Sequence, residues 1–228
     1  MCNIIHIIDN GEKDSKQKNT GSHSDNGSQG KHPVSFDIFD TLIVRKCGNP
    51  QEVFNIVAQK YKEQYNSHIL DFKQLRIEAE NKARCQSEKN EISIHDIYNV
   101  IADTVGVSTA QILMELEKET ELEVCIANKP MVELYNLVKN KIDTYIISDM
   151  YLDGTFITRL LVKCGIDMPN EVYVSVDYDQ TKRNRKLFKT VLRDNHLHAW
   201  NIIHIGDNFV SDYINPKLLG MHSYWLKK

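Results

Sequence analysis

Val34-Ser35-Phe36-Asp37-Ile38-Phe39-Asp40-Thr41-Leu42 is the stretch that decides the fold. It begins as an apolar run typical of a buried strand, and the run ends in an acidic residue with a hydroxyl residue four positions later. In an open parallel sheet, side chains at the carboxyl ends of the strands face the crevice where ligands bind. The stretch therefore predicts a first strand that presents Asp37 at a ligand site.

The sequence after residue 128 alternates between helical and strand patterns. The patterns predict strands at 144–148, 172–176, 201–205 and 223–226 and helices at 130–140, 155–163, 184–194 and 212–219. Strands joined by crossover helices predict a parallel sheet with helices on both faces. We therefore expect an α/β, Rossmann-like core domain made of residues 33–48 and 129–228, with residues 33–44 supplying one strand and its exit.

Residues 49–128 show helical periodicity and no convincing strand. Pro50 suits a first helical turn. Ser93 with Asp96, and Ser108 with Gln111, resemble capping boxes that open two further helices. We predict that residues 49–128 form an all-helical cap domain inserted after the first strand.

Residues 1–32 differ from the rest of the chain in composition. From Asn10 to Lys31 the sequence is almost wholly Gly, Ser, Asn, Asp, Lys and Gln, which cannot bury enough apolar surface to become ordered. We predict a flexible N-terminal segment. Its apolar residues 4–8 are expected to be loosely held, with an edge strand as the alternative.

The overall composition narrows the class of protein. Lys and Arg number 28 and Asp and Glu 31, a balance too even to favour nucleic acid or a membrane as partner. The five cysteines lie far apart and form no metal-binding pair, which favours free thiols in a reducing compartment. No apolar run reaches the length of a membrane span. We expect a cytoplasmic protein.

Polar side chains follow the predicted strands. They are Asp37 after the first, Ser148 and Asp149 after the second, Lys182 and Lys186 after the third, and Asp207 and Asp212 after the fourth. Carboxylates from two strands suit Mg²⁺, which also binds substrate phosphate. A lysine and a hydroxyl nearby can neutralise a phosphoryl group in the transition state, and a carboxylate oxygen can attack phosphorus.

These residues, in this order, resemble the motifs of the haloacid dehalogenase (HAD) superfamily of hydrolases. The resemblance runs from Ser35 to the C-terminus. The matching residues are Asp37 and Thr41 in the first motif, Ser148 in the second, Lys182 in the third, and Gly206, Asp207 and Asp212 in the fourth. The predicted helical cap lies where this family often carries a mobile cap.

The resemblance implies a role for each matching residue. Asp37 is the implied nucleophile, and Asp37, Asp207, Asp212 and the main-chain carbonyl of Phe39 are the implied Mg²⁺ ligands. Catalytic phosphate contacts are assigned to Ser148 and Lys182, and further substrate contacts to Thr41 and Asp149. Lys182 is preferred to Lys186 because of its spacing from the apolar pair on the following helix.

The sequence departs from the family pattern at Phe39. Phosphatases of the family usually carry an Asp there, which protonates the leaving group. Asp40 is next in sequence, but in an extended strand its side chain points away from the face that Asp37 and Phe39 share. We expect Asp40 to cap the turn that leaves the strand, with a catalytic role as the alternative. Loss of a general acid costs about 10²–10⁴ in rate, so good leaving groups are expected.

The predicted function is that of a Mg²⁺-dependent phosphatase acting on a small phosphorylated metabolite through an aspartyl-phosphate. The first motif resembles that of bacterial HAD-like proteins associated with surface polysaccharide synthesis, which makes a sugar phosphate a lead. Arg45 and Lys46, just after this motif, are expected to be solvated rather than to steer an anionic substrate.

Two alternatives remain open. The first is a metal-independent 2-haloacid-dehalogenase-like hydrolase, for which an aromatic residue at position 39 is also typical. Asp207 and Asp212 disfavour it, because they repel a carboxylate nucleophile unless a cation offsets their charge. The second is a module that binds a phosphorylated ligand or a protein partner without turnover, which the loss of the acid at Phe39 favours.

Overall fold

The computed structural model describes residues 32–227, so the predictions for residues 1–31, including segment 4–8, lie outside it. The strands are β1 (Val34–Phe36), β2 (Ile43–Arg45), β3 (Cys125–Ala127), β4 (Thr144–Ser148), β5 (Glu171–Val174), β6 (Ile203–Gly206) and β7 (His222–Trp225). The α-helices are α1 (Glu52–Tyr65), α2 (Phe72–Gln86), α3 (Ile94–Val105), α4 (Val107–Val124), α5 (Lys129–Lys139), α6 (Gly154–Lys163), α7 (Ser175–Tyr178), α8 (Lys186–Asp194) and α9 (Asn215–Leu218). A 3₁₀ turn spans Ala199–Asn201 and a π-helical turn spans Phe209–Ile214.

The main sheet has five strands in the order β5-β4-β1-β6-β7, and every pairing is parallel. The first strand, β1, lies at the centre between β4 and β6. Because all strands run the same way, their carboxyl ends meet at one edge of the sheet. The predicted α/β, Rossmann-like core is confirmed.

Alternation along β4 shows that both faces of the sheet are covered. Tyr145 and Ile147 pack with Leu187 and Phe188 of α8 in one buried cluster. Ile146, between them, belongs to a separate cluster that includes residues of α5 and α6. Full burial of such apolar side chains contributes about 1.5–3 kcal/mol each. Because alternate residues of β4 pack against helices on opposite sides, helices cover both faces of the sheet, as predicted.

A second, two-stranded sheet lies at the base of the helical region. The turn after Asp37 reverses the chain, with the N–H groups of Leu42 and Ile43 both donating to the Ile38 carbonyl at 2.9 Å. The chain then forms β2, which pairs antiparallel with β3. The expectation that residues 33–44 supply one strand and its exit misses β2, and the expectation of no strand within 49–128 is wrong because β3 lies there. Both strands have only three residues, too few to show a periodic pattern.

Helices α1–α4 occupy the chain between β2 and β3. The predicted capping box of Ser93 and Asp96 is confirmed. The one predicted at Ser108 is wrong, because α4 begins at Val107 directly after Gly106 and has no side-chain cap. Gly106 has a φ of 85°, which is not helical, so α3 ends just before it and α4 begins just after it. The division of the molecule at residues 49–128 into a separate cap stays a prediction.

A buried charged group holds these helices together. Arg76 donates from Nε and Nη2 to both carboxylate oxygens of Glu117 at 2.8 and 2.9 Å, and neither side chain is exposed. Its Nη1 donates to Glu80 at 3.0 Å, and the Tyr98 hydroxyl donates to Glu117 at 2.7 Å. We call Arg76, Glu80, Tyr98 and Glu117 the helical cluster.

The segments that carry the later motifs differ from their predicted bounds. The helix expected from residue 184 begins at Lys186, because Asn184 accepts from the N–H groups of Thr181 and Lys186 and so holds a turn there. The strand expected to reach residue 176 ends at Val174 and is followed by α7.

Within residues 32–227 no helix is both long and apolar enough to cross a membrane.

Candidate active site

Carboxylates from two strand ends converge at the carboxyl edge of the main sheet. Asp37 directly follows β1, Asp207 directly follows β6, and Asp212 lies in the π-helical turn beyond. One carboxylate oxygen from each of the three lies within 4.8 Å of the others. The structure thus brings together three residues that the sequence predicted as metal ligands. With Lys182 they form what we call the active-site cluster.

Lys182 reaches this cluster through a buried side chain. Its Nζ lies 2.6 Å from Asp37 Oδ1 and 2.7 Å from Asp212 Oδ1. Asp149 accepts from the Lys182 N–H at 2.7 Å and from the Arg183 N–H at 3.3 Å, and so fixes the loop that carries the lysine. Lys186 is exposed at the start of α8. The geometry places Lys182 beside Asp37, whereas Asp149 contacts the loop and its substrate role stays a prediction.

Carboxylates outnumber cations among these four side chains. Asp37, Asp207 and Asp212 lie within 4.8 Å of one another, and Lys182 forms ion pairs with Asp37 and Asp212. Burial raises the pKa of Asp37 to about 7, with Lys182 opposing the rise and Asp212 adding to it. Burial also disfavours ionised Asp212, but Lys182 and His204 outweigh it and hold the pKa of Asp212 below its usual range. An added cation would therefore favour ionised Asp37.

The residues present fit a divalent cation. Mg²⁺ prefers oxygen ligands at about 2.0–2.1 Å and commonly uses one or two carboxylates together with water and substrate phosphate. The three carboxylates supply such oxygens, and their negative charge suits a divalent cation. Phe39, whose carbonyl is the fourth predicted ligand, lies two residues beyond Asp37 in the same turn.

Asp212 is held in place from several sides. Its Oδ2 accepts from the Asn208 N–H at 2.9 Å, and its Oδ1 lies 3.2 Å from His204 Nε2. A carboxylate only accepts, so Nε2 carries the proton, and Nδ1 can accept from the Ser35 hydroxyl at 2.9 Å. A Cβ on Gly206 would lie 2.4 Å from the Asp212 carboxyl carbon, so only glycine permits this approach. The short helix predicted near 212–219 is confirmed as α9, which begins at Asn215, and the π-helical turn that precedes it begins at Phe209 and carries the buried Asp212.

Two residues at this site were not recognised from the sequence. His204 is fully buried in β6, and its ring contacts Asp212. Its position two residues before Gly206, in a buried strand, was the available signal. Trp225, in the last strand, donates from Nε1 to the Asp207 carbonyl at 2.8 Å. Nothing in the sequence near Trp225 indicates this contact, which depends on the pairing of β7 with β6.

Two predicted hydroxyl contacts lie in the same region. Ser148 is the last residue of β4 and is almost wholly buried. Thr41 is fully buried, and its Oγ1 has no hydrogen-bond partner within residues 32–227. A buried hydroxyl without a partner costs about 1–3 kcal/mol, so Thr41 retains a donor that a ligand can use. Their roles in phosphate binding stay predictions.

Asp40 occupies the turn that leaves the first strand. It has a φ of 57°, and its N–H donates to the Ile43 carbonyl at 2.7 Å. Asp is among the residues that tolerate this left-handed conformation. The position favours the expected turn role, and the catalytic alternative stays untested.

Arg45 is not solvated, and that expectation is wrong. Its side chain is 7% exposed and forms an ion pair with Glu121 of α4, with Nε 2.9 Å from Oε2. The pairing of β2 with β3 places Arg45 opposite Cys125, one helical turn beyond Glu121. The guanidinium carbon lies 4.5 Å from the centre of the Phe39 ring. The guanidinium of Arg45 therefore stacks on Phe39, the residue at which the sequence departs from the family pattern.

Solved structures with the same architecture were found, although no protein-family model and no curated protein matches the sequence. A 2-haloacid dehalogenase from Pseudomonas syringae pv. Tomato superposes with a TM-score of 0.65 at 16% identity, over 85% of each chain. A HAD phosphatase from Thermococcus onnurineus gives 0.58 at 13% identity, over 86% of each chain.

A third structure was solved with ligands bound. The HAD family enzyme bt-2542 from Bacteroides thetaiotaomicron, in complex with magnesium and inorganic phosphate, gives a TM-score of 0.55 at 16% identity. The match covers 86% of this chain and 94% of the other. At such identities the similarity establishes architecture. The chain therefore has the fold of the haloacid dehalogenase superfamily of hydrolases.

Proposed function

We propose that this protein is a Mg²⁺-dependent phosphatase that acts on a small phosphorylated metabolite through an aspartyl-phosphate. The observation that carries the proposal is the active-site cluster: three carboxylates within 4.8 Å of one another, with Lys182 bridging two of them. Bound Mg²⁺, held by Asp37, Asp207, Asp212 and the Phe39 carbonyl, would supply positive charge for a phosphoryl group. A cytoplasmic location is part of the proposal, supported by the free thiols of the described cysteines.

Asp37 is the nucleophile in this proposal. Lys182 binds its Oδ1, which leaves Oδ2 to attack phosphorus. The P–O bond to the leaving group breaks, and the electron pair departs with the leaving oxygen. Water then attacks the phosphoryl group, the P–Oδ2 bond breaks, and the Asp37 carboxylate is restored as phosphate leaves and a proton passes to solvent. Lys182 stays protonated throughout and offsets charge on the phosphoryl oxygens.

A cavity of about 370 Å³ beside the cluster supports a small substrate. It extends from Phe39 and Asp149 at the strand ends to Phe54 on α1 and Asn81 on α2. Cavities of about 300–1,000 Å³ are usual for small-molecule sites. Aromatic and amide side chains suit a polar organic group, so a sugar phosphate remains the lead substrate.

Dehalogenation is the second candidate. It is favoured by Phe39 and by the structural likeness to a 2-haloacid dehalogenase. In that reaction Asp37 would displace halide from carbon and no leaving-group acid would be needed. The excess of negative charge in the active-site cluster disfavours it, because a carboxylate nucleophile beside Asp207 and Asp212 needs a cation to stay ionised. A module that binds a phosphorylated ligand without turnover is the third candidate.

The test is phosphate release from aryl, acyl and sugar phosphates, measured with Mg²⁺ and with EDTA. We expect Mg²⁺-dependent release that Asp37→Asn abolishes. Asp40→Asn is the matched control, since Asn also tolerates a positive φ and should retain activity within a few-fold. A loss of about 10² or more in Asp40→Asn would instead make Asp40 the missing acid.

If no phosphate is released from any compound, one of the two other candidate functions is to be tested. Halide release from 2-haloacids without metal, abolished by Asp37→Asn, would establish dehalogenation. Mg²⁺-dependent binding of orthophosphate or aluminium fluoride, without hydrolysis of any compound, would establish the binding module. Either result contradicts the phosphatase proposal.

A further inference from the structure

The cavity beside the active-site cluster contains a cation that the proposed mechanism has not used. Arg45 lines it together with Phe39 and Asp149, with its guanidinium carbon 4.5 Å from the centre of the Phe39 ring. Phe39 is two residues beyond the nucleophile, where a phosphatase of this fold is expected to carry its leaving-group acid. The leaving group of a substrate attacked by Asp37 must lie on the far side of phosphorus, because displacement is in line.

The hydrogen bonds of Arg45 leave part of its guanidinium available. Nε and Nη2 donate to the Glu121 carboxylate at 2.9 and 3.1 Å. The guanidinium stacks over the Phe39 ring at 4.5 Å, which fixes its plane beside the cavity. Nη1 has no acceptor within the part of the chain that the structure describes, so its two N–H groups are open to a ligand.

The Arg45 guanidinium stays protonated. Burial disfavours the charged form, but the Glu121 carboxylate outweighs burial and raises the pKa of Arg45 further. A guanidinium therefore cannot give up a proton at this position and cannot act as a general acid. It can donate a hydrogen bond and place positive charge near an oxygen that becomes negative in the transition state.

We propose that Arg45 stabilises the leaving group as an anion, in place of the acid that Phe39 has replaced. This inference rests on the proposed phosphatase function. As the P–O bond breaks, its electron pair stays on the leaving oxygen, which Arg45 Nη1 binds without transferring a proton. The leaving group takes its proton from water after release. The substrate class is therefore a phosphoryl compound whose leaving group is stable as an anion, such as an acyl, aryl or anomeric sugar phosphate.

A purely structural role for Arg45 makes a different prediction. The pair with Glu121 joins β2 to α4, and its loss would then lower activity equally for all substrates. A leaving-group role instead makes the loss depend on the substrate, because poor leaving groups carry more negative charge that needs stabilisation. The slope of rate against leaving-group pKa separates the two roles.

The experiment measures kcat/KM with Mg²⁺ for a series of substituted phenyl phosphates. The main variant is Arg45→Gln with Glu121→Gln, which removes both charges together and leaves no buried carboxylate unpaired. We expect its slope to be steeper than that of the wild type, with a loss of about 10²-fold or more for the poorest leaving group. The loss should shrink as the leaving group improves.

Two further variants keep the test decisive. Arg76→Gln with Glu117→Gln removes a similar buried pair, and we expect it to keep the wild-type slope. Arg45→Lys retains an ion pair with Glu121 but lacks Nη1, so it should also steepen the slope even if the double variant at Arg45 and Glu121 does not fold. Thermal unfolding of each variant establishes that it is folded at the assay temperature.

The outcomes are distinguishable. Parallel slopes in the wild type, the double variant at Arg45 and Glu121, and Arg45→Lys would overturn the role of Arg45 while leaving the phosphatase proposal intact. Absence of release from every phenyl phosphate by the wild-type protein would overturn the phosphatase proposal and this inference with it.

Discussion

The active-site cluster and the helical cluster are both buried and charged, but they differ in charge balance. In the helical cluster Arg76 pairs with Glu117, which also accepts from Tyr98, while partly exposed Glu80 is shared between Arg76 and Arg84, so that each carboxylate has a cation. In the active-site cluster Lys182 pairs with two of the three carboxylates, and the pKa of Asp37 rises to about 7 because burial outweighs the lysine. A buried site whose hydrogen bonds are complete serves the fold, whereas one with excess charge needs a ligand. Four predictions test this distinction.

The largest effect should come from unbalancing the helical cluster. Glu117→Gln leaves Arg76 without its fully buried partner and should lower the free energy of unfolding by about 3–5 kcal/mol. Urea unfolding measures this change in the free energy of unfolding. Arg76→Met with Glu117→Leu should recover most of the loss, because an apolar pair needs no partner. If Arg76→Met with Glu117→Leu is as unstable as Glu117→Gln, the loss of stability does not come from an unpaired buried charge.

Removing Lys182 should have a large effect on turnover. Lys182→Met takes away the cation that faces the phosphoryl group and should lower kcat by about 10²–10³-fold. Lys186→Met is the matched control, since Lys186 is exposed at the start of α8, and it should keep wild-type kcat. Equal losses in both variants would contradict the assignment of Lys182.

Crowding Asp212 should disturb the active-site cluster by a smaller amount. Gly206→Ala introduces a Cβ that would lie 2.4 Å from the Asp212 carboxyl carbon. We expect a loss of about 1–3 kcal/mol in stability, typical of overpacking, and weaker Mg²⁺ binding in calorimetry. Gly48→Ala is the control for a glycine with no atom within 4 Å of the added Cβ, though its φ of 74° itself adds strain. Unchanged Mg²⁺ affinity in Gly206→Ala would argue against Asp212 as a ligand.

The effect of pH is the smallest when it is taken per pH unit. The folded-state pKa of Asp37 is about 7 and its ordinary value is 3.8, so between these values the folded protein holds a proton that the unfolded chain releases. Asp37 therefore lowers stability as pH rises through this window, by at most about 1.4 kcal/mol per pH unit. In EDTA, Asp37→Asn should gain stability relative to wild type from pH 4 to pH 7. A difference that stays constant with pH would contradict the raised pKa.

The comparison also shows what sequence reasoning can reach. Asp37, Ser148, Lys182 and Asp207 were predictable because each lies at or just beyond a strand end, or in the loop before a helix, and the sheet topology brings those positions together. Arg45 was not predictable, because its burial depends on a three-residue strand with no periodic signal. His204 and Trp225 contact the site through strand pairing between β6 and its neighbours, which adjacent sequence does not encode. Local patterns predict elements, and long-range pairing decides their contacts.

The short ladder of β2 and β3 has a consequence for how such a chain can change over evolution. The chain leaves for the helices and returns at one place, with Arg45 directly opposite Cys125. A two-residue Asn-Gly turn would close these strands as a hairpin. The segment between β2 and β3 is nevertheless tied to the core, since the Ser175 hydroxyl donates to Glu91 and residues of the helices and of the main sheet share one apolar cluster. Every residue of the active-site cluster lies outside this segment, so substitutions in the helices that line the cavity would change substrate contacts and leave the reacting groups in place.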